Sequence, residues 1–232
     1  MLRNHRRTFL HALALLAAMG LVFFAVGRQP PTAAPDTTMP FVGELDLAVY
    51  HAMDDIRNLL LTGLARALNF LGAGIVTIPL RIIVAAYLAW RRRWRAFAVW
   101  VLTWAVAEVV VEIAKDFFHR GRPPDPLVQT VGFSFPSGHA VAGASIAVAL
   151  VLVAFPAGPE RRRWEWLAVG FAFVMAFSRV YLRAHWLSDV VAGVLLGTGV
   201  ALGVAATVTE IRHHVLGRWW PKPEPLVDEV SP

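Results

Sequence analysis

The chain has no cysteine in its 232 residues, so no disulfide braces it and no thiolate holds a metal. Charge is scarce as well. Asp, Glu, Lys and Arg make up 16% of the residues, against about 25% in an ordinary soluble domain, while 57% are hydrophobic. No solenoid-type repeat is present, which excludes a stacked-repeat architecture. The formal net charge is +6, yet the basic residues lie in short clusters between apolar runs rather than in one patch, so nucleic-acid binding is not indicated. The loops carry no nucleotide-binding signature.

What the chain does have is apolar runs close to the ~20 residues that cross a bilayer. Six candidate helices fall at about 8–26, 68–90, 96–115, 139–156, 164–181 and 187–208. They predict an all-α, six-helix transmembrane bundle in one integral membrane domain. Arg3, Arg6 and Arg7 precede the first run. Arg91, Arg92, Arg93 and Arg95 separate the second and third, and Arg161, Arg162 and Arg163 the fourth and fifth. Arg212, Arg218 and Lys222 follow the sixth. Threaded in order, these clusters share one face, and they hold more than half of the 22 Lys and Arg. The positive-inside rule makes that face cytoplasmic, with both termini there, in a plasma (inner) membrane protein of several passes. Residues 1–27 read as the first span with its cytoplasmic start. Residues 28–66 read as an extracytoplasmic linker over 28–42 and an interfacial amphipathic helix over 43–66. Residues 67–210 read as the main transmembrane domain and 211–232 as a cytoplasmic tail, Pro-rich and acidic from Pro221. A cleaved signal peptide is the competing reading of the first run. Its basic start fits, but its apolar stretch is long and no clear small-x-small site follows.

Three polar phrases interrupt the apolar chain, all on the opposite face: Lys115–Pro123 (KDFFHRGRP), Pro136-Ser137-Gly138-His139 and Ser178–Asp189 (SRVYLRAHWLSD). In the second, Pro136 suits a helix start, so Ser137, Gly138 and His139 offer backbone N–H groups at a helix N-terminus, a ready anion site. Gly138 lets a ligand approach the backbone closely. In the third, His185 and Asp189 lie four apart on one helical face. A carboxylate on one ring nitrogen leaves the other nucleophilic. Arg179 adds a forked, permanent cation, and Lys115 and Arg122 add two more. Each phrase alone has a bland explanation: a plain helix cap, a structural His–Asp pair, or cations snorkelling to headgroups. Three such accidents on one face combine poorly, and the set points to phosphoryl transfer.

Lys115 with Arg122-Pro123 (K-x6-R-P), Pro136-Ser137-Gly138-His139, and Ser178-Arg179 with His185 and Asp189 (S-R-x5-H-x3-D) resemble the three motifs of the type 2 phosphatidic acid phosphatase family. The motifs span about a third of the chain, and the six-run pattern resembles the membrane branch of that family. Vanadium haloperoxidases are similar in these motifs, but their soluble architecture is unlike this chain. The resemblance implies a phosphohistidine on His185, oriented and polarised by Asp189. His139 is then the acid toward the leaving oxygen and later the helper of water. Lys115, Arg122, Ser137, Gly138 and Arg179 hold the phosphoryl oxygens, and neither metal nor cofactor is needed. The expected partners are a phosphorylated membrane lipid and the bilayer: undecaprenyl pyrophosphate, phosphatidate or phosphatidylglycerol phosphate.

Arg120 and Arg183 are candidates around that site, either for a second phosphate group or for anionic headgroups. Glu112 is the expected partner of Lys115. Glu108, deeper in the third run, needs a partner, and Arg81 is the candidate for a structural ion pair. His119 is either at the site entrance or an exposed loop residue. Gly193 and Gly197 form G-x-x-x-G, expected to pack neighbouring helices. Two rivals to hydrolysis are lipid phosphoryl or headgroup transfer by the same site, and non-catalytic binding of anionic lipid.

Overall fold

The computed structural model describes residues 2–27 and 40–214. These residues form eight helices and no strand: α1 (Leu2–Val26), α2 (Pro40–Asp55), α3 (Leu59–Gly72), α4 (Gly74–Trp90), α5 (Trp94–Phe118), α6 (Gly138–Ala154), α7 (Pro159–Tyr181) and α8 (Leu187–His214). Most of the expected linker over 28–42, and the tail beyond residue 214, lie outside the described residues.

Local chemistry sets the boundaries. Asn58 caps α3, its side chain accepting from the Leu61 amide at 2.9 Å. Ser137 caps α6 through the Ala140 amide. Pro159 opens α7 where its missing N–H costs nothing, with Glu160 favourable in the first turn. His119, in the left-handed region at φ 50°, closes α5.

Two expected helices are each divided. The apolar run 68–90 breaks at Ala73, which is extended at φ −71°, ψ 152°, so α3 and α4 meet at 47°. Gly72 and Gly74 flank the break, and both disfavour helix continuation. The segment 43–66, expected as one amphipathic helix, is α2 and part of α3 with a turn between them. By length and composition the six expected spans are matched only in part. Three helices are long and apolar enough to cross a membrane: Phe9–Val26 of α1, α5, and Leu187–Ile211 of α8. A fourth follows if α3 and α4 count as one bent span. α6 is apolar but has 17 residues. α7 opens with PERRRWEW, whose charges dilute its apolar character.

Between lipid-embedded helices, close packing replaces water exclusion as the force that joins them. Small residues make it here. A Cβ on Gly197 would stand 2.5 Å from the Val141 carbonyl oxygen, and one on Gly193 2.9 Å from that of Ser137. The G-x-x-x-G pair therefore seats α8 on α6. Gly199 meets Leu16 and Gly203 faces Ala12, laying α1 along α8. Phe23, Phe118 and Phe135 stack edge-on at 4.8–5.1 Å where α1, α5 and the loop before α6 converge. Within the bundle, buried Arg81 donates to Glu108 at 2.5 Å, the ion pair the sequence suggests. The start of α6, the end of α7 and the start of α8 come together, and the loop 119–137 folds over them.

Candidate active site

His185 sits in the short connection between α7 and α8, 4% exposed. Its Nδ1 lies 2.7 Å from the main-chain oxygen of Ser134. A carbonyl only accepts, so Nδ1 carries the proton. Its Nε2 lies 3.2 Å from Arg122 Nη1, which only donates, so Nε2 presents a lone pair. Both neighbours thus select the same tautomer. Burial first, then the charges of Arg122 and Arg179, pull the imidazole down to about 4 against the opposing pull of Asp189. At neutral pH the ring is uncharged and the Nε2 lone pair is unprotonated.

Asp189 stands 3.5 Å from His185 Nδ1. The nearer acceptor is the Ser134 carbonyl, which no side-chain pattern announces. Asp189 has stronger engagements: Oδ2 accepts from the Trp186 amide at 2.9 Å, and Oδ1 from Arg120 at 2.6 Å. Arg120 also donates to Asp46 at 2.7 Å and to Ser188 Oγ at 2.6 Å. Asp46 in turn accepts from the Ser188 amide and hydroxyl at 2.8 and 2.6 Å. Asp46, Arg120 and Asp189 are each 1% exposed or less. Burial works against the Arg120 charge, but Asp189 and Asp46 outweigh it and hold the guanidinium above its ordinary value. Burial also raises the Asp46 carboxyl, despite Arg120. Arg120 is therefore a brace behind Asp189 with its charge matched inside the protein. Asp46, which sits on α2 outside every motif, was missed by the sequence reading. Its single Asp among the apolar residues of GELDLAVY was the available signal.

Arg122 is held differently. Its Nε donates to Gly132 O at 2.9 Å, Nη2 to Val131 O and Phe133 O at 2.7 and 3.0 Å, and Nη1 to Ala184 O at 2.8 Å besides facing His185. All five N–H donors are engaged, none by a carboxylate. Burial holds this guanidinium below its ordinary value, with Asp189 opposing. Arg179, 3% exposed, donates to the side-chain oxygen of Asn69, and its buried Nε has no partner. Among the described residues no carboxylate pairs with either Arg122 or Arg179. Arg179 is buried and Arg122 half-buried, and cations so desolvated without a counter-charge favour an incoming anion.

Ser137 is fully buried; its N–H donates to the Asp189 carbonyl at 3.1 Å, tying the head of α6 to α8. The amides of Gly138 and His139 lie in the first turn, without acceptors inside their own helix. A Cβ on Gly138 would meet nothing within 4 Å, so open space lies before it. His139 Nε2 lies 3.1 Å from Asn69 O. Lys115 donates to Glu112 at 3.1 Å, the partner the sequence suggests. Arg183 turns away to Asp54 and lies over the Tyr50 ring at 4.1 Å. His119 packs edge-on against Phe133 at 4.4 Å. The structure thus gathers His139, Arg179, His185 and Arg122, with Asp189 and Arg120 behind them. It directs Arg183 to α2 instead. Asn69 was also missed; a polar residue near the end of an apolar run was its only sign.

A family model described as the PAP2 superfamily matches residues 96–212. Phosphatidylglycerophosphatase B of Bacillus subtilis (strain 168) is 30% identical over 161 residues, covering 67% of this chain and 79% of the relative. An undecaprenyl-diphosphatase of Sulfolobus acidocaldarius is 32% identical over 149 residues, 61% of this chain and 68% of the relative. Among solved structures, the transmembrane PAP2-type phosphatidylglycerolphosphate phosphatase of Bacillus subtilis superposes with a TM-score of 0.73 at 24% identity, over 88% of this chain and 98% of that one. Aquifex aeolicus LpxE gives 0.56 at 24% identity, over 68% and 93%.

Proposed function

This chain belongs to the PAP2 superfamily of membrane lipid phosphatases, and from that premise we propose that it cleaves the phosphate mono- or diphosphate ester of a membrane lipid through a phosphohistidine on His185. The observation that carries the reading is the doubly fixed His185 ring. Nδ1 is held as a donor to Ser134 O, and unprotonated Nε2 accepts from Arg122, a contact that an incoming phosphate would replace. In the first step the Nε2 lone pair attacks phosphorus. The P–N bond forms, the P–O bond to the lipid breaks, and His139 gives the departing oxygen its proton. In the second step water attacks phosphorus and passes a proton to His139, and the P–N bond breaks to release phosphate. Arg179, the charge of Arg122 and the α6 amides of Gly138 and His139 stabilise the negative charge that builds on the phosphoryl oxygens. Ser137 holds that helix end in place, and Lys115 with Glu112 supplies an outer cation. Asp189, fixed by Arg120, offsets the charge that His185 gains once phosphorylated. No metal or other cofactor enters this scheme.

We read both termini and the loops that carry the basic clusters as cytoplasmic and the site as extracytoplasmic, a reading that counts α6 and α7 as crossings. α1 is retained as a span, consistent with its seat on α8 and the full burial of Val26. Residues 67–210 then form the catalytic unit. The substrate is an amphiphile with its phosphate in the headgroup layer. Undecaprenyl pyrophosphate is favoured over phosphatidate and phosphatidylglycerol phosphate, because an outward site suits recycling of a carrier lipid.

The test is phosphate release from these three lipids in detergent with excess chelator. Wild-type protein should turn over at least one and incorporate an acid-labile phosphoryl group. His185→Ala should lose activity on the order of 10⁵–10⁶-fold. Normal turnover in that variant would overturn the mechanism, and loss of wild-type turnover in chelator would overturn its independence of metal. Transfer of the group to an added lipid alcohol in preference to water would make the protein a transferase.

A further inference from the structure

The break between α3 and α4 reaches the site from a side that none of the three motifs occupies. In an unbroken helix the Asn69 carbonyl would accept from the amide of residue 73. Here the Ala73 amide donates to Phe70 O at 3.1 Å instead. The freed Asn69 carbonyl lies 3.1 Å from His139 Nε2. The side chain of the same residue accepts from Arg179. Three residues on, a Cβ on Gly72 would stand 2.6 Å from His139 Cδ2 and 3.1 Å from Met175 Sδ, so the ring fits only against a glycine. The other end of α3 is fixed as well. Tyr181, two residues beyond Arg179, accepts from the Asn58 amide at 3.2 Å and shares a hydrogen bond with Thr62 at 3.0 Å. The helix is thereby held in register with the end of α7.

We infer that the α3–α4 break is a working part of the active site: Asn69 positions Arg179 for the phosphate, and its carbonyl with Gly72 sets His139 so that Nδ1 exchanges the proton. This inference rests on the phosphatase reading above. Because a carbonyl only accepts, His139 Nε2 keeps its proton throughout. The ring takes a second proton at Nδ1 from the acidic phosphate of the incoming lipid and passes it to the departing lipid oxygen; bare Nδ1 then takes a proton from the attacking water. Asn69 and Gly72 touch neither substrate nor phosphorus and act only through Arg179 and His139.

Three measurements test this on the full-length protein in detergent. Nitrogen-15 NMR of histidine-labelled wild type, assigned with His139→Gln, should show His139 protonated at Nε2. Asn69→Ala and the near-isosteric Asn69→Asp should both raise the inhibition constant of inorganic phosphate about ten-fold, with thermal stability preserved in Asn69→Asp. Gly72→Ala should lower kcat about 10²-fold with KM little changed, since a small misplacement of a catalytic group has that effect. A protonated Nδ1 on neutral His139, or unchanged phosphate inhibition in both Asn69 variants, would overturn the inference whether or not Gly72→Ala folds. If His185→Ala is dead while the Asn69 variants are indifferent, this inference alone fails. If His185→Ala still turns over, the phosphohistidine reading fails, and the tautomer and phosphate-inhibition results still decide this one.

Discussion

Two buried arginines in the same site have opposite surroundings. Arg120 lies between Asp46 and Asp189, so its charge is matched twice. Arg179 has the neutral amide of Asn69 as its partner. Both are nearly inaccessible, at 1% and 3% exposure. The contrast separates a brace from a receptor: a cation compensated from within holds the fold, while an uncompensated one awaits its counter-charge. Replacing Arg120 by Met should leave two buried carboxylates without a cation, at a cost of about 3–5 kcal/mol, read as a large fall in the melting temperature in detergent. Arg179→Gln should leave that temperature unchanged or slightly higher, yet reduce kcat/KM about 10²–10³-fold. Equal thermal losses in the two variants would dissolve the distinction.

Smaller changes sharpen it. Gly138→Ala places a methyl group in space that the protein leaves empty. It should not alter stability, but should weaken phosphate binding or turnover by about 1–3 kcal/mol through crowding of the ligand. Destabilisation without a kinetic effect would show that the space is not the ligand's. The smallest expected effect is in pH. His185 titrates at about 4 in the folded protein, chiefly through burial, against an ordinary 6.5. The acid limb of kcat/KM should therefore fall near pH 4. Because the folded value is the lower one, the unfolded chain binds more protons between these values. The stability tied to the neutral ring is present above pH 6.5 and is lost as pH falls toward 4. Arg122→Gln removes a charge that lowers this value, so its limb should move to higher pH.

Arg122, Arg179, the two histidines and Asp189, which the fold brings together, stood out in the sequence because they fall at short, fixed spacings. The supports were not, because they arrive from distant parts of the chain. Asp46 reaches Ser188 across 142 positions, and Asn69 reaches Arg179 across 110. The Ser134 carbonyl belongs to the main chain and has no residue code at all. The fold was legible as apolar runs with basic ends. The break at Ala73 was hidden because Pro79, the conspicuous helix-breaker nearby, lies inside α4 without ending it. α7 reads as a span only when its charged opening is set aside.

The 17 residues of α6 correspond to roughly 25 Å of helix, less than the ~30 Å hydrocarbon core of a typical bilayer. In the proposed topology, where α6 crosses, the end that carries Gly138 and His139 is drawn toward the hydrocarbon boundary unless the surrounding lipid thins to meet it. Irregular backbone such as the Ala73 break is tolerated at that depth where it faces protein or water. The proposed catalysis would then be tied to a property of the host membrane: lipids with longer chains would draw the headgroup layer away from the short helix, and turnover would vary with bilayer thickness for the same protein and the same substrate.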